Sequence, residues 1–177
     1  MMGLFLVEAA LNGIVNSKEE LNQKASELQE VLSSKEAALI ELQVSKDFSR
    51  SFFIVEANEE EIASGVLKEA GIPIDLVKEV RLVGDELEKV KQQKDVVNYL
   101  VEWNIPEDIT MDQYLARKKK NSVHYEEVPE VSFARTYVCE DMSKCLCFYD
   151  APDEAAVKRA REAVSTPIDS ITEILDK

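Results

Sequence analysis

Moved by 94 residues, this chain lies over itself without a gap. Leu6, Val7 and Glu8 fall on Leu100, Val101 and Glu102, and Leu21 and Lys24 on Leu115 and Lys118. Val44, Asp47, Ser49 and Ala57 fall on Val138, Asp141, Ser143 and Ala151. Pro73, Ile74 and Asp75 fall on Pro167, Ile168 and Asp169, and Glu79 on Glu173. One register kept from one end to the other implies a duplicated unit, and self-similarity constrains architecture before any single motif does. The 177 residues then divide into a first unit at 1–84, a connector at 85–97 and a second unit at 98–177. The connector, DELEKVKQQKDVV, is charged and lacks Pro and Gly, which predicts helix.

Each unit opens with an apolar segment of strand type, Leu4 to Ala10 and Asn98 to Trp103. A helix follows. In the first unit Ser17-Lys-Glu-Glu20 has the capping-box spacing, and Leu21, Ala25, Leu28 and Leu32 recur at helical intervals. In the second, Thr110-Met-Asp-Gln113 opens a helix with a poorer apolar face, Met111, Tyr114 and Leu115. The run Arg117, Lys118, Lys119, Lys120 ends it, read as a solvated helix end with an anion or partner contact as the alternative.

Two strands joined by a turn come next, Ala37 to Ser45 with Ser51 to Ala57, and Glu130 to Cys139 with Cys145 to Ala151. The turns, Lys46 to Arg50 and Glu140 to Lys144, are rich in turn formers. A second helix is started by Asn58-Glu-Glu-Glu61 in one unit and Pro152-Asp153 in the other, where Ala156, Val157, Ala160 and Val164 form the buried stripe. GIPID and STPID turn the chain into closing strands near Leu76 to Val83 and Ser170 to Leu175.

The order βαββαβ, met twice, predicts an α+β protein of two tandem ferredoxin-like units. A unit of about 80 residues has a thin core, and the sheet face without helices needs cover. Packing the units through those faces as an intramolecular pseudo-dimer, in the manner of a dimeric α+β barrel, is the economical solution, with further homo-oligomerisation left open.

Net charge is −14 with pI near 4.6, which argues against nucleic acid and against anionic membrane surfaces as partners. The start MMGLFLVEAAL lacks a basic leader and is interrupted by Glu8, and no apolar run has the length of a membrane span. Three cysteines do not close a disulfide framework, so a cytoplasmic, reducing setting is expected. No Gly-rich phosphate loop, G-x-S-x-G elbow or H-E-x-x-H occurs.

The chemistry-bearing residues gather in the second unit. Cys139, Cys145 and Cys147 flank the turn of its hairpin, and His124, the single histidine, lies upstream. Thiolates and imidazole are ligands of zinc, nickel, copper(I) or iron. Cys145 and Cys147 share a strand face. If Cys139 sits opposite Cys145, all three converge; if it pairs with Lys144, they do not. Free cysteines also serve as small buried hydrophobes, and Cys139 beside Lys144 is a candidate redox thiol or, with His124 as base, a nucleophile. The first unit has Ser45, Ser51 and Phe53 at the cysteine positions, so the fold does without thiols. Glu8 and Glu102, matched acids inside apolar strands, are candidate polar handles of a cavity between the two sheets, with Trp103, Tyr137 and Tyr149 as its lining.

The pattern Thr136-Tyr-Val-x-x-Asp141, Lys144-Cys-x-Cys-Phe-Tyr-Asp-Ala-Pro-Asp153, Ala155-Val157, Arg161, Pro167-Ile-Asp169 and Glu173-Ile174 resembles the domain-of-unknown-function family 4242. That family includes a streptomycete nickel-binding protein with a ferredoxin-like fold. The resemblance covers most of the second unit and, more faintly, the first. It implies a small domain, paired as a dimer, that in some members holds a divalent metal such as nickel. With one histidine in the chain, a His-rich site is excluded.

These readings converge on a non-enzymatic protein binding a metal ion or small ligand in its second unit. The metal would be a divalent transition ion, nickel or zinc, on His124, Cys139, Cys145 and Cys147. An enzyme or binding protein using an inter-sheet cavity, and an interaction module with no site, are the alternatives.

Overall fold

The computed structural model describes residues 2–83, Val90 and 97–175. The connector read at 85–97 lies outside the described residues except for Val90 and Val97. Among the described residues two compact units are present: one takes in residues 2–80 and Val90, the other residues 81–83 and the chain from Val97 on, so the end of the strand Ile74–Val83 is counted with the second.

The first unit runs β1 (Gly3–Ala9), α1 (Lys18–Ser34), β2 (Ala38–Val44), β3 (Ser51–Ala57), α2 (Glu60–Glu69) and β4 (Ile74–Val83). Its strands lie in the order β2-β3-β1-β4, each antiparallel to its neighbours. The second unit runs β5 (Tyr99–Asn104), α3 (Met111–Asn121), a 3₁₀ helix (Ser122–Glu127), β6 (Ser132–Cys139), β7 (Lys144–Asp150), α4 (Glu154–Ala163) and β8 (Ser170–Glu173). Its order is β6-β7-β5-β8, again antiparallel. In both units the first and third strands are central, which is the ferredoxin-like arrangement expected from the βαββαβ order.

Local chemistry explains the element ends. Ser17 Oγ accepts the Glu20 N–H at 3.2 Å and Glu20 Oε2 accepts the Asn16 N–H at 2.6 Å, starting α1. Thr110 and Gln113 form a complete capping box at α3. Asp153 caps α4 through the Ala156 N–H. Asn58 does not cap α2: Glu59 stands at that position without a side-chain bond, while Glu60 and Glu61 lie in the first turn, where the helix dipole favours acids. Leu21, Leu28 and Leu32 are the buried stripe of α1, each contributing about 1.5–3 kcal/mol by burial; Ala25 is only half-buried.

The two hairpins share fine detail. Phe48 and Met142 both have φ of 62°. Each follows an aspartate whose Oδ1 accepts from the serine after it, Ser49 in one hairpin and Ser143 in the other. Each hairpin also shifts register once, between Leu39 and Glu41 and between Phe133 and Arg135, at positions 94 residues apart.

Two features of the second unit depart from expectation. The chain after Asn121 continues as the 3₁₀ helix, an element that no sequence pattern announced. The buried stripe of α4 includes Arg161, which is 2% exposed.

Candidate functional site

The register of the β6–β7 hairpin decides the fate of the thiols. Val138 stands opposite Cys145 and Thr136 opposite Cys147. Cys145 and Cys147 therefore face the helices with Val138, and Cys139, one residue on, faces the other way. His124 sits on the 3₁₀ helix, half-exposed, with Nδ1 2.6 Å from Glu127 Oε2. The expected four-residue metal set is thus not assembled. Among the described residues no group of three or more His, Cys, Asp or Glu side chains converges as a metal site. The residues around Cys147 do not fit a divalent cation either, because Arg161 and Lys118 are the charges beside it.

The five residues expected to line one cavity also separate. Trp103 and Tyr149 lie on the helix-facing side of the second unit. Glu102 and Tyr137 each neighbour, or stand opposite, residues of the reverse side, Leu146 among them. Glu102 accepts from Lys144 Nζ at 2.7 Å. Glu8, in the first unit, accepts from Arg50 Nη2 at 2.8 Å. These are the same pair of positions in the two repeats, so the matched acids serve as matched internal ion pairs.

What the helix-facing side assembles is a polar network around Cys147. Its Sγ accepts from Thr136 Oγ1 and from Arg161 Nη1, each at 3.3 Å. Arg161 Nη1 also donates to the Tyr149 hydroxyl at 3.0 Å, and Nη2 donates to the Pro167 carbonyl at 2.6 Å. The hydroxyls of Tyr149 and Tyr125 are 2.6 Å apart. Arg161 Nε is buried without a partner. Phe133, Tyr125 and Tyr149 pack ring against ring over this network.

The two thiols are driven apart electrostatically. The hydrogen bond from Cys145, with the charges of Lys118 and Arg161 and the Thr136 hydroxyl, holds the Cys147 thiol well below its ordinary range despite burial. The same hydrogen bond pushes Cys145 well above it, with burial adding to the shift. Burial pushes Tyr125 up to about 12 and holds Tyr114 and Tyr149 as neutral phenols. Cys139 is likewise raised, chiefly by burial.

Above Cys147 opens a cavity of about 20 Å³, enough for a water-sized group. Trp103, Tyr114, Arg117, Lys118 and Arg161 are among its walls. The Arg117 guanidinium lies 5.3 Å from the Trp103 ring centroid, and its Nη2 donates to the Ser165 carbonyl at 2.5 Å. Ser165 adopts φ of 53° after α4, the left-handed turn that Gly71 makes after α2. The Lys118 ammonium lies 4.3 Å over Phe133. Half of the basic run is therefore a site wall, and Lys119 and Lys120 are exposed. A wider hollow in the first unit is bounded by Lys35, Glu61 and Glu69, all exposed, and brings no buried polar group together.

Arg161, Tyr125 and Thr136 did not figure among the candidate site residues. A signal for the first was present: 94 residues earlier stands Leu67, fully buried in α2. Likewise Phe53 and Val55, fully buried, answer Cys147 and Tyr149. The first unit fills with hydrocarbon the positions where the second places a guanidinium, a thiol and a phenol.

Residues 99–174 match the family of SCO4226-like nickel-responsive proteins, in agreement with the resemblance read between His124 and Ile174. No curated protein matches the sequence. Among solved structures, the chain is similar to a provisionally assigned chlorite dismutase, TA0507, at 12% identity and a TM-score of 0.56, covering 99% of this chain and 95% of that one. It is also similar to an arginine-to-lysine variant of chlorite dismutase from Candidatus Nitrospira defluvii, at 8% identity and a TM-score of 0.51, covering 98% of this chain and 90% of that one. At such identities these likenesses show the fold alone.

Proposed function

We propose that the chain is a non-enzymatic binding protein whose second unit holds a small ligand in the cavity above Cys147. The observation that carries this reading is Arg161, buried where the other unit has Leu67. A buried guanidinium is costly unless something repays it, and the fold accepts leucine at that position. The reading keeps two ferredoxin-like units, 1–84 and 98–177, paired within one chain, which rests on the 94-residue repeat. Trp103 is the single tryptophan and borders the cavity, so its fluorescence reports on occupancy. A library of small molecules is expected to contain some that change Trp103 emission saturably in the wild-type chain. Arg161→Leu is expected to abolish that response while the circular dichroism spectrum stays unchanged. A wild-type chain whose emission answers to nothing in the library would sink the reading.

A metal-related role is the second reading, favoured by the match of residues 99–174 to nickel-responsive proteins. It predicts stoichiometric nickel or zinc retained through gel filtration and, because Arg161 and Lys118 stand beside Cys147, retained equally by the Cys145→Ser/Cys147→Ser double variant. A chain that retains neither metal sinks this second reading.

A further inference from the structure

Arg50, Arg81, Lys144 and Arg159 each hold a carboxylate, and Lys24 bonds the Ala70 carbonyl far from any cluster of cations. The three that wall the cavity hold no carboxylate. Arg117 bonds a backbone carbonyl and stacks on Trp103. Lys118 stacks on Phe133. Arg161 bonds a thiol sulfur, a phenol and a carbonyl, and its buried Nε has no partner. In a chain of 35 acidic and 21 basic residues, three cations around one hollow with no carboxylate on them among the described residues is a selective arrangement. Even with the Cys147 thiolate beside Arg161 and Lys118, three cations against one anion leave net positive charge at low dielectric, where an entering anion gains most.

The same walls limit the anion. The cavity is fronted by the C-terminal half of α3 and the end of α4, whose dipoles oppose negative charge. Its lining holds no glycine, and the N–H of Ser122, which opens the 3₁₀ helix, is bonded to the Lys118 carbonyl, so the backbone N–H cradle that phosphates use is lacking. A singly charged group suits this balance better than a dianion. The cavity of about 20 Å³ seats only a small head group, because the rings of Trp103 and Tyr114, both buried, pack against each other in its wall at 6.2 Å.

We infer that the ligand of this cavity is a small organic carboxylate, its anionic end among Arg161, Lys118 and Arg117 and the rest of it at the cavity mouth. This rests on the reading of the cavity as a binding site. The full chain is titrated with benzoate, benzamide, benzylamine and inorganic phosphate, followed by Trp103 fluorescence and calorimetry. Benzoate is expected to bind at least about tenfold more tightly than benzamide, with an affinity that falls as salt is added. Arg161→Leu is expected to abolish that binding. Lys118→Met, at a half-buried site where the methionine stem keeps the packing on Phe133, is expected to weaken it several-fold with the circular dichroism spectrum unchanged. Benzamide or benzylamine binding as well as benzoate overturns the carboxylate inference and leaves the cavity a binding site. Phosphate binding more tightly than benzoate overturns the carboxylate class. Silence towards benzoate overturns the inference; silence towards every molecule of the wider library removes the underlying reading as well.

Discussion

At the scale of single residues, Cys147 is the group whose chemistry is most altered by its surroundings. Its thiol is held well below the ordinary value of 9.0 in the folded chain, by the Cys145 hydrogen bond first and by Lys118, Arg161 and Thr136. Between the folded and unfolded values the unfolded chain therefore binds a proton that the folded chain does not. Stability must rise with pH across that interval, be fully present above 9.0, and be lost as pH falls through the folded value. Cys145 and Cys139 are shifted upward and act in the opposite sense, as pH climbs past 9.0. Urea unfolding from about pH 6 to pH 9 is expected to show a rising midpoint in the wild type and a flatter one in Cys147→Ser. Parallel curves for the two proteins would refute the thiolate assignment. None of this follows from the order of residues alone. A cysteine in an apolar strand reads as packing, and the residues that polarise it come from α3, α4 and β6.

Among the elements, the second-unit hairpin shows how far periodicity reaches. Alternation places Cys145 and Cys147 on one face, and the turn composition places the reversal at Glu140 to Lys144. The register hangs on a single residue, Met142, held at φ of 62° while its N–H bonds the Cys139 carbonyl at 2.9 Å. That conformation costs an L-residue about 1–2 kcal/mol and is worse for a β-branched one. Met142 already bears that cost, so Met142→Val is expected to lower stability further by about the same order or less, and Met142→Asn, which tolerates the left-handed region, to leave it unchanged or raise it. Thermal unfolding of the two variants checks this; a valine variant as stable as the asparagine one would show the turn to be unstrained. The helix starts at Ser17, Thr110 and Asp153 were legible because capping is local chemistry, three residues from donor to acceptor. The 3₁₀ helix at Ser122–Glu127 was not, because its polar sequence lacks a helical stripe and Tyr125 is held by tertiary ring contacts.

At the scale of the whole molecule, the dominant quantity is the net charge of −14. No helix among the described residues is long and apolar enough to cross a membrane. Self-repulsion of this size destabilises a compact chain, and salt screens it. Raising ionic strength from about 0.01 M to about 0.15 M is expected to raise Tm, because the repulsion is exposed while the Glu102–Lys144 pair is largely shielded from solvent. A Tm that falls with salt would mean that surface ion pairs outweigh the repulsion. The excess of acid also sharpens the contrast with the one cavity where Arg117, Lys118 and Arg161 stand together.

By itself the amino-acid order determined what depends on spacing: the strand and helix sequence βαββαβ of each unit, the capped helix starts, and the turns with matched aspartates. Those are short-range consequences of periodicity and local hydrogen bonding. Only the tertiary structure decided which side of the sheet each thiol faces, because a one-residue change of register inverts a strand. Only it turned Arg161 from a charge at the edge of an apolar stripe into the centre of a site. A buried cation is defined by what surrounds it, and its partners Cys147, Tyr149 and Pro167 are brought to it by three separate segments of the fold.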